Sequence, residues 1–129
     1  MRSVYDAIKA LFTQRPAALT ATTNGSAVDT LGYNSAAVSL EVGAVSGTTP
    51  TLDVKIQESA DGSTGWADVS GATFTQVTAS NNSQILRVEG LGTSRKRYLR
   101  AVATIAGTTP SFTMAIEILL GRAFKEPAN

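Results

Sequence analysis

The sequence contains neither cysteine nor histidine. Their absence excludes Ser-His-Asp and Cys-His nucleophilic catalysis, zinc sites of the usual Cys/His kind and any disulfide framework. Charge is scarce as well. Only 16% of the 129 residues are Asp, Glu, Lys or Arg, against the usual quarter or so, so the surface must be built largely from Thr, Ser, Asn, Gln, Gly and Ala. Such a surface repels its neighbours weakly and suits a protein that works packed against others. The net charge of +1 gives no pull toward nucleic acid or anionic lipid; neither is expected as a partner. Long apolar runs are missing too, and nothing approaches the roughly 18–20 residues of a membrane span. The opening "MRSVYDAIKALFTQRPAA" carries a Lys and an Asp inside its apolar part, so no signal peptide is expected.

What is present reads as one domain. A hydrophobic fraction of 43% and a length that supports one core but not two fit a soluble globular chain. Val4, Ile8, Leu11 and Phe12 stand at helical spacing with Tyr5 beside them, and Pro16 would end such a helix. Ten residues are too few to be helical alone, so the plainer reading is an arm whose apolar face needs a partner. Beyond Asn24-Gly25 the signals are those of strands. Val38, Leu40 and Val42 alternate with polar or small residues, as do Leu52, Val54 and Ile56, and later Phe112, Met114, Ile116 and Ile118. Further short strands are expected near 72–78, 84–89 and 98–106. Seven or so short strands between turn signals predict a mainly β fold, an antiparallel β-sandwich of jelly-roll or immunoglobulin-like order, with an N-terminal arm or short helix. The expected boundaries are 1–23 for the arm, 24–121 for the sandwich and 122–129 for a C-terminal tail.

The tetrapeptide GTTP occurs at 47–50 and again at 107–110. In both places a strand ends, Gly and Pro punctuate, and an alternating strand leaves with its apolar row at matching positions: Leu52 with Phe112, Val54 with Met114, Ile56 with Ile116. Gly takes positive φ readily and Pro cannot donate to a ladder. The pair is therefore expected to form two equivalent hairpin turns, one in each half of the sandwich.

Few stretches invite chemistry. Ser59 to Trp66, "SADGSTGW", partly resembles the Asp-box of sialidases, with Ser59, Asp61 and Trp66 in place; that resemblance implies a hairpin device. Trp66 is then a packing residue at the Asp61-Gly62 turn, and the alternative is a platform for sugar. "SRKRYLR" gathers Arg95, Lys96, Arg97 and Arg100. Its readings, in order, are a solvated loop that keeps an edge soluble, a contact with an acidic protein surface, and a nucleic-acid patch, for which interleaved aromatics are missing. "LGTSRKRYLRAVAT" also resembles the segment of fibronectin type III domains in which a Tyr plugs a corner between sheets, which would make Leu91 and Tyr98 structural. No calcium-loop or nucleotide-binding spacing is present, and no cofactor or metal is expected.

Taken in order, Asn24–Ala36 ("NGSAVDTLGYNSA"), Val54–Gly62 ("VKIQESADG"), a Trp before "ADV", and Tyr98–Phe112 ending in "GTTPSF" resemble a family of small tailed-phage and prophage proteins encoded near the major capsid protein. The resemblance implies a virion structural protein, a capsid decoration (cement) protein, made in the host cytoplasm and carried on the capsid surface. It also implies the major capsid protein as partner and a homo-oligomer, with a trimer favoured. Other virion positions, at the head–tail connection or in the tail, and a carbohydrate-binding module using Trp66 are the alternatives. The candidate protein-interface residues are Val4, Tyr5, Ile8, Leu11 and Phe12 of the arm and Arg95, Lys96, Arg97 and Arg100 of the basic stretch.

Overall fold

Two unusually long strands organise the molecule. The computed structural model describes residues 8–123 and, in chain order, contains β1 (Ile8–Leu19), β2 (Thr23–Asn24), β3 (Val28–Asp29), β4 (Tyr33–Ser59), β5 (Ala67–Thr73), β6 (Asn82–Glu89) and β7 (Tyr98–Ala123). All pairings between these strands are antiparallel. β4 and β7 pair with each other along almost their whole length, from Tyr33 opposite Ala123 to Ser59 opposite Tyr98. The first half of β4 and the second half of β7 are flanked by β6 and β1, giving the order β6-β4-β7-β1. The other halves are flanked by β5 and by the short β2 and β3. A single bent ribbon thus supplies the central strands of both layers of an antiparallel β-sandwich.

Alternation explains the core. Ala36, Val38, Leu40 and Val42 with Met114, Ile116, Ile118 and Leu120 bury the inner face of the first layer. Leu52, Val54 and Ile56 with Leu99, Ala101 and Ala103 do the same for the second, and both sets belong to one hydrophobic cluster. Each Leu, Ile or Phe so buried contributes roughly 1.5–3 kcal/mol, enough to join two layers without a disulfide.

The GTTP segments are not hairpin turns. They are the bends of the ribbon, and they pair with each other through Thr48 opposite Thr108. Shifting residue numbers by the 60-residue offset converts the pair Thr51–Ala106 into Ser46–Ser111, and Leu52–Ile105 into Val45–Phe112, all of them observed pairs. The bend therefore has a local two-fold symmetry. Gly47 (φ 111°) and Gly107 (φ 121°) lie in the left-handed region, and a Cβ on either would sit 2.7–2.8 Å from a carbonyl oxygen of the opposing copy. Gly is required twice over there, by conformation and by space. The prolines fall where the register slips, so their missing N–H leaves no gap in the ladder.

Of the arm or short helix expected near the N-terminus, the helix does not form from Ile8 onward. Ile8–Leu19 is a strand on the free edge of β7, with Leu11 opposite Ile118 and Leu19 opposite Phe112. A ten-residue helix gains little by itself, whereas the β7 edge offers a ready ladder. Pro16 does not end a helix; it falls at a register shift between Gln14 and Ala17, where a bulge tolerates a residue without an N–H. Residues 1–7 and 124–129, with the expected tail beyond β7, lie outside the described residues.

Candidate interaction surfaces

Of the candidate interface residues, Val4 and Tyr5 lie outside the described residues. Ile8, Leu11 and Phe12 do not share one face as a helix would place them. Leu11 points inward and packs against the core, while Ile8 and Phe12, offset from it by odd numbers, face outward. The Arg15 guanidinium lies 5.8 Å from the centroid of the Phe12 ring.

The basic stretch is less available than its composition suggests. Arg97 makes a bidentate pair with Asp29, at 2.8 Å from Nε and 2.7 Å from Nη2. That hydrogen-bonded pair holds the Asp29 carboxyl down at about 2 and raises Arg97 further. Arg95 lies 3.7 Å from the Glu58 carboxylate, which also accepts the Lys96 backbone N–H at 2.9 Å. Arg100 donates from Nε and Nη2 to Gln57 Oε1 and stacks 4.3 Å above the Trp66 ring. Among the described residues only Lys96 of these four cations makes no ion pair or hydrogen bond from its side chain. The structure scatters the set: Arg100 faces out from the second layer, and the other three line the loop end beside Thr30–Gly32, where Leu31 is 66% exposed. Thr30, Leu31, Gly32, Gly92, Arg95 and Arg97 line a shallow depression there.

The Ser59–Trp66 loop is tied to itself. Asp61 Oδ1 accepts the N–H groups of Ser63 and Thr64, both at 2.9 Å, and Oδ2 accepts the Thr64 hydroxyl at 2.8 Å. These donors, the Thr64 N–H foremost, hold the Asp61 carboxyl well below the usual carboxylate range. The buried Ser59 hydroxyl accepts the Gly62 N–H at 3.1 Å. Gly62 has φ 79° and leaves room for the Tyr98 ring, which a Cβ at this position would meet at 3.0 Å. Leu91 is buried in the core, while Tyr98 is half-buried with the Arg97 guanidinium 5.2 Å from its ring centroid. Arg100 covers one face of the Trp66 indole, and the tryptophan is half-buried.

The two outer faces of the sandwich differ. On the second layer a polar ladder runs Lys55–Asp68–Gln57–Arg100–Trp66; the hydrogen bond from Gln57, then that from Lys55, lowers the Asp68 carboxyl. On the first layer the cross-strand rows are Ile8–Gly121–Ser35–Glu89, Ala10–Leu119–Ala37–Arg87 and Phe12–Glu117–Ser39–Ile85. Gly121, Ser35 and Ala37 leave a hollow on this face among Ile8, Leu119, Ile85 and Arg87. Ile85 is 72% exposed and Ile8 42% exposed. Nothing in the spacing of "NSQILRVE" separates Ile85 from a core residue, since it adjoins Leu86 in sequence. Only the register, which sends Leu86 and Val88 inward, reveals it.

Among the described residues no three carboxylates converge to hold a metal ion. No protein-family model matches the sequence, and no curated protein is significantly similar to it. Among solved structures, the SPBc2 prophage-derived protein YomS is similar over 94% of this chain and 100% of its own, at 8% identity and a TM-score of 0.46. A family two carbohydrate esterase from Cellvibrio japonicus is similar over 92% of this chain but only 35% of its own, at 12% identity and a TM-score of 0.39.

Proposed function

We propose that this chain is a non-enzymatic structural protein of a phage virion: a capsid decoration (cement) protein that binds the major capsid protein on the outer surface of the assembled head and stabilises the lattice. The order of the sequence segments from Asn24 to Phe112 supports this family reading. The observation that carries the docking mode is the loop end at Leu31. A large apolar side chain, 66% exposed, stands there beside Arg95 and Arg97, with Lys96 exposed between them. An apolar anchor within a basic rim is the surface that an acidic protein face would complement. Its individual contact would be weak, because Arg95 and Arg97 already spend charge on Glu58 and Asp29. Repetition over a lattice makes weak contacts persistent, since each bound copy of an oligomer raises the effective concentration of the next contact.

The test is co-sedimentation of the purified protein with phage heads. The expected result is binding to assembled heads and little to free capsid subunits, reduced at least tenfold by Leu31→Asp and several-fold by Lys96→Glu. Both substitutions fall on exposed side chains, so circular dichroism should be unchanged. A wild-type chain that stays in the supernatant with heads present would end the capsid reading; equal binding by Leu31→Asp would end the docking mode.

A further inference from the structure

We infer that Asn24-Gly25 is a modification site which the fold holds latent: its conversion to aspartate or isoaspartate is blocked while β1, β2 and β7 are joined and proceeds once that seam opens, whatever the chain binds.

The chemistry resides in the dipeptide. This is the only Asn-Gly in the sequence. In such a pair the glycine nitrogen attacks the asparagine Cγ, and the new N–Cγ bond closes a five-membered succinimide as the Cγ–Nδ2 bond breaks. The proton lost by the glycine nitrogen passes through solvent to the departing ammonia. Water then opens the ring at either carbonyl, at Cγ to give aspartate or at the main-chain carbon to give isoaspartate. Glycine favours the closure because it has no Cβ to crowd the ring. Here the glycine is required by space and not by positive φ: a Cβ on Gly25 would lie 2.7 Å from the Thr13 carbonyl oxygen and 2.9 Å from that of Ala101. The packing of the seam thus demands the one residue that makes the exposed Asn24 reactive.

The same packing restrains the reaction. The attacking nitrogen, Gly25 N, donates its hydrogen to the Ala101 carbonyl at 2.7 Å, and the next N–H, of Ser26, donates to the Thr13 carbonyl at 2.7 Å. Thr13 Oγ1 adds a bond to the Ser26 carbonyl at 2.8 Å. Asn24 is held in β2 opposite Val102, and an extended backbone turns the following nitrogen away from the side chain of its own residue. Ring closure needs a large rotation about the Asn24 Cα–C bond, which withdraws Gly25 from Ala101 and Ser26 from Thr13. β2 is only two residues long, so this opening is local and less costly than unfolding the sandwich. Isoaspartate carries the main chain through Cγ and lengthens it by one methylene. The N–H groups of Gly25 and Ser26 then cannot both return to their carbonyls, so the conversion is a one-way record of seam opening.

The full chain, folded or in guanidinium chloride at mildly alkaline pH, tests the inference by peptide mapping, with the amide-to-acid mass gain and an isoaspartyl methyltransferase assay as readouts at residue 24. In guanidinium the expected rate is that of a free peptide spanning Thr22–Ala27; in the folded chain it is at least about tenfold slower. Thr13→Val should raise the folded-chain rate at least threefold, and Thr13→Ser should raise it less. Gly47→Ala loosens the bend and leaves the seam in place, so it should accelerate conversion less than Thr13→Val does. Asn24→Gln, which cyclises far more slowly, should end the mass gain in that peptide. A folded chain that converts within twofold of the unfolded one would overturn the latency, and that comparison needs no variant to fold. Equal acceleration by Gly47→Ala and Thr13→Val would overturn the seam as the gate.

Discussion

Thr13 offers the sharpest test of how the layers are joined. It lies in β1, paired to the second half of β7, yet its side chain reaches the first half. Its hydroxyl donates to the Ser26 carbonyl at 2.8 Å and accepts the Ala101 N–H at 3.1 Å. Its own carbonyl accepts the Ser26 N–H at 2.7 Å. The N–H of Ala101 needs this partner because the strand beside β7 is interrupted: β2 pairs with Val102 and Ala103, β3 with Tyr98 and Leu99. Thr13 is 2% exposed and Ala101 1%, so water does not substitute. Thr13→Val keeps the volume and orphans that donor, which costs about 1–3 kcal/mol. The Ser26 carbonyl belongs to an exposed residue and reaches solvent, so it adds little, and the total should be about 2–3 kcal/mol. Thr13→Ser keeps the hydroxyl and loses one methyl, at about 1 kcal/mol. Urea titration followed by circular dichroism measures both, and an unchanged m-value shows that the difference lies in stability. A Thr13→Val protein within about 0.5 kcal/mol of wild type, below the cost of any orphaned donor, would refute the reasoning. So would a Thr13→Ser protein as unstable as Thr13→Val.

The other predictions draw on the bend, the tryptophan and the carboxylates. Gly47→Ala and Gly107→Ala should each destabilise by about 2–4 kcal/mol, from positive φ and a blocked Cβ together, and by nearly equal amounts because the bend is symmetric; a thermal melt that separates them widely would deny that symmetry. Thr49 and Thr109 both sit at φ 46°, costly for β-branched residues, so Thr49→Asn should raise Tm, and a lowered Tm would show the threonine to be needed for packing. Trp66 is the only tryptophan; Arg100→Ala should red-shift its emission and increase acrylamide quenching at a stability cost under about 1 kcal/mol, and unchanged quenching would mean that the guanidinium does not shield the ring. Asp29 is about 2 in the folded chain and near 3.9 when unfolded, so its contribution is complete above about pH 4 and is lost as pH falls toward 2. With no histidine to titrate, the urea midpoint should be flat from pH 5.5 to 7 and fall below about 4, less steeply in Asp29→Asn; a midpoint that moves near neutrality would contradict this.

The sequence made the core legible because a period of two survives wherever one face is buried. Leu52, Val54 and Ile56 and the row from Phe112 to Ile118 could be assigned inward without knowing what they face. The role of the GTTP pair was not legible. A Gly and a Pro beside a strand carry the same signal whether the chain reverses or merely bends, and only the antiparallel register of β4 on β7 distinguishes the two. The segment at Ile8–Phe12 misled for a related reason. Spacings of three and four are also available to a strand that buries Leu11 and exposes Ile8 and Phe12, once an unpaired edge competes for its backbone. The basic stretch was visible as composition but not as availability, because Asp29 and Glu58, which take up Arg97 and Arg95, are 68 and 37 residues away in the chain. The exposed Ile85 left no signal at all beside the inward Leu86.

The way the layers are linked bears on the proposed role. In a sandwich assembled from separate strands, a shear applied to one outer face reaches the other only through side-chain packing. Here β4 and β7 both run through the bend from one layer into the other, and β1 adds a third link where Thr13 bonds Ala101 and Ser26. Sliding one layer over the other must therefore distort two backbones at Gly47–Pro50 and Gly107–Pro110, where the approach of the two copies leaves no room for a Cβ on either glycine. The loop at Leu31 enters β4 directly at Tyr33, so a load taken up there passes straight into the first layer and reaches the second through the bend. A body proposed to brace a lattice would need this stiffness more than a large core. The same reasoning makes the bend the weak point: loosening it by Gly47→Ala should impair head stabilisation more than it impairs binding of the isolated protein to heads.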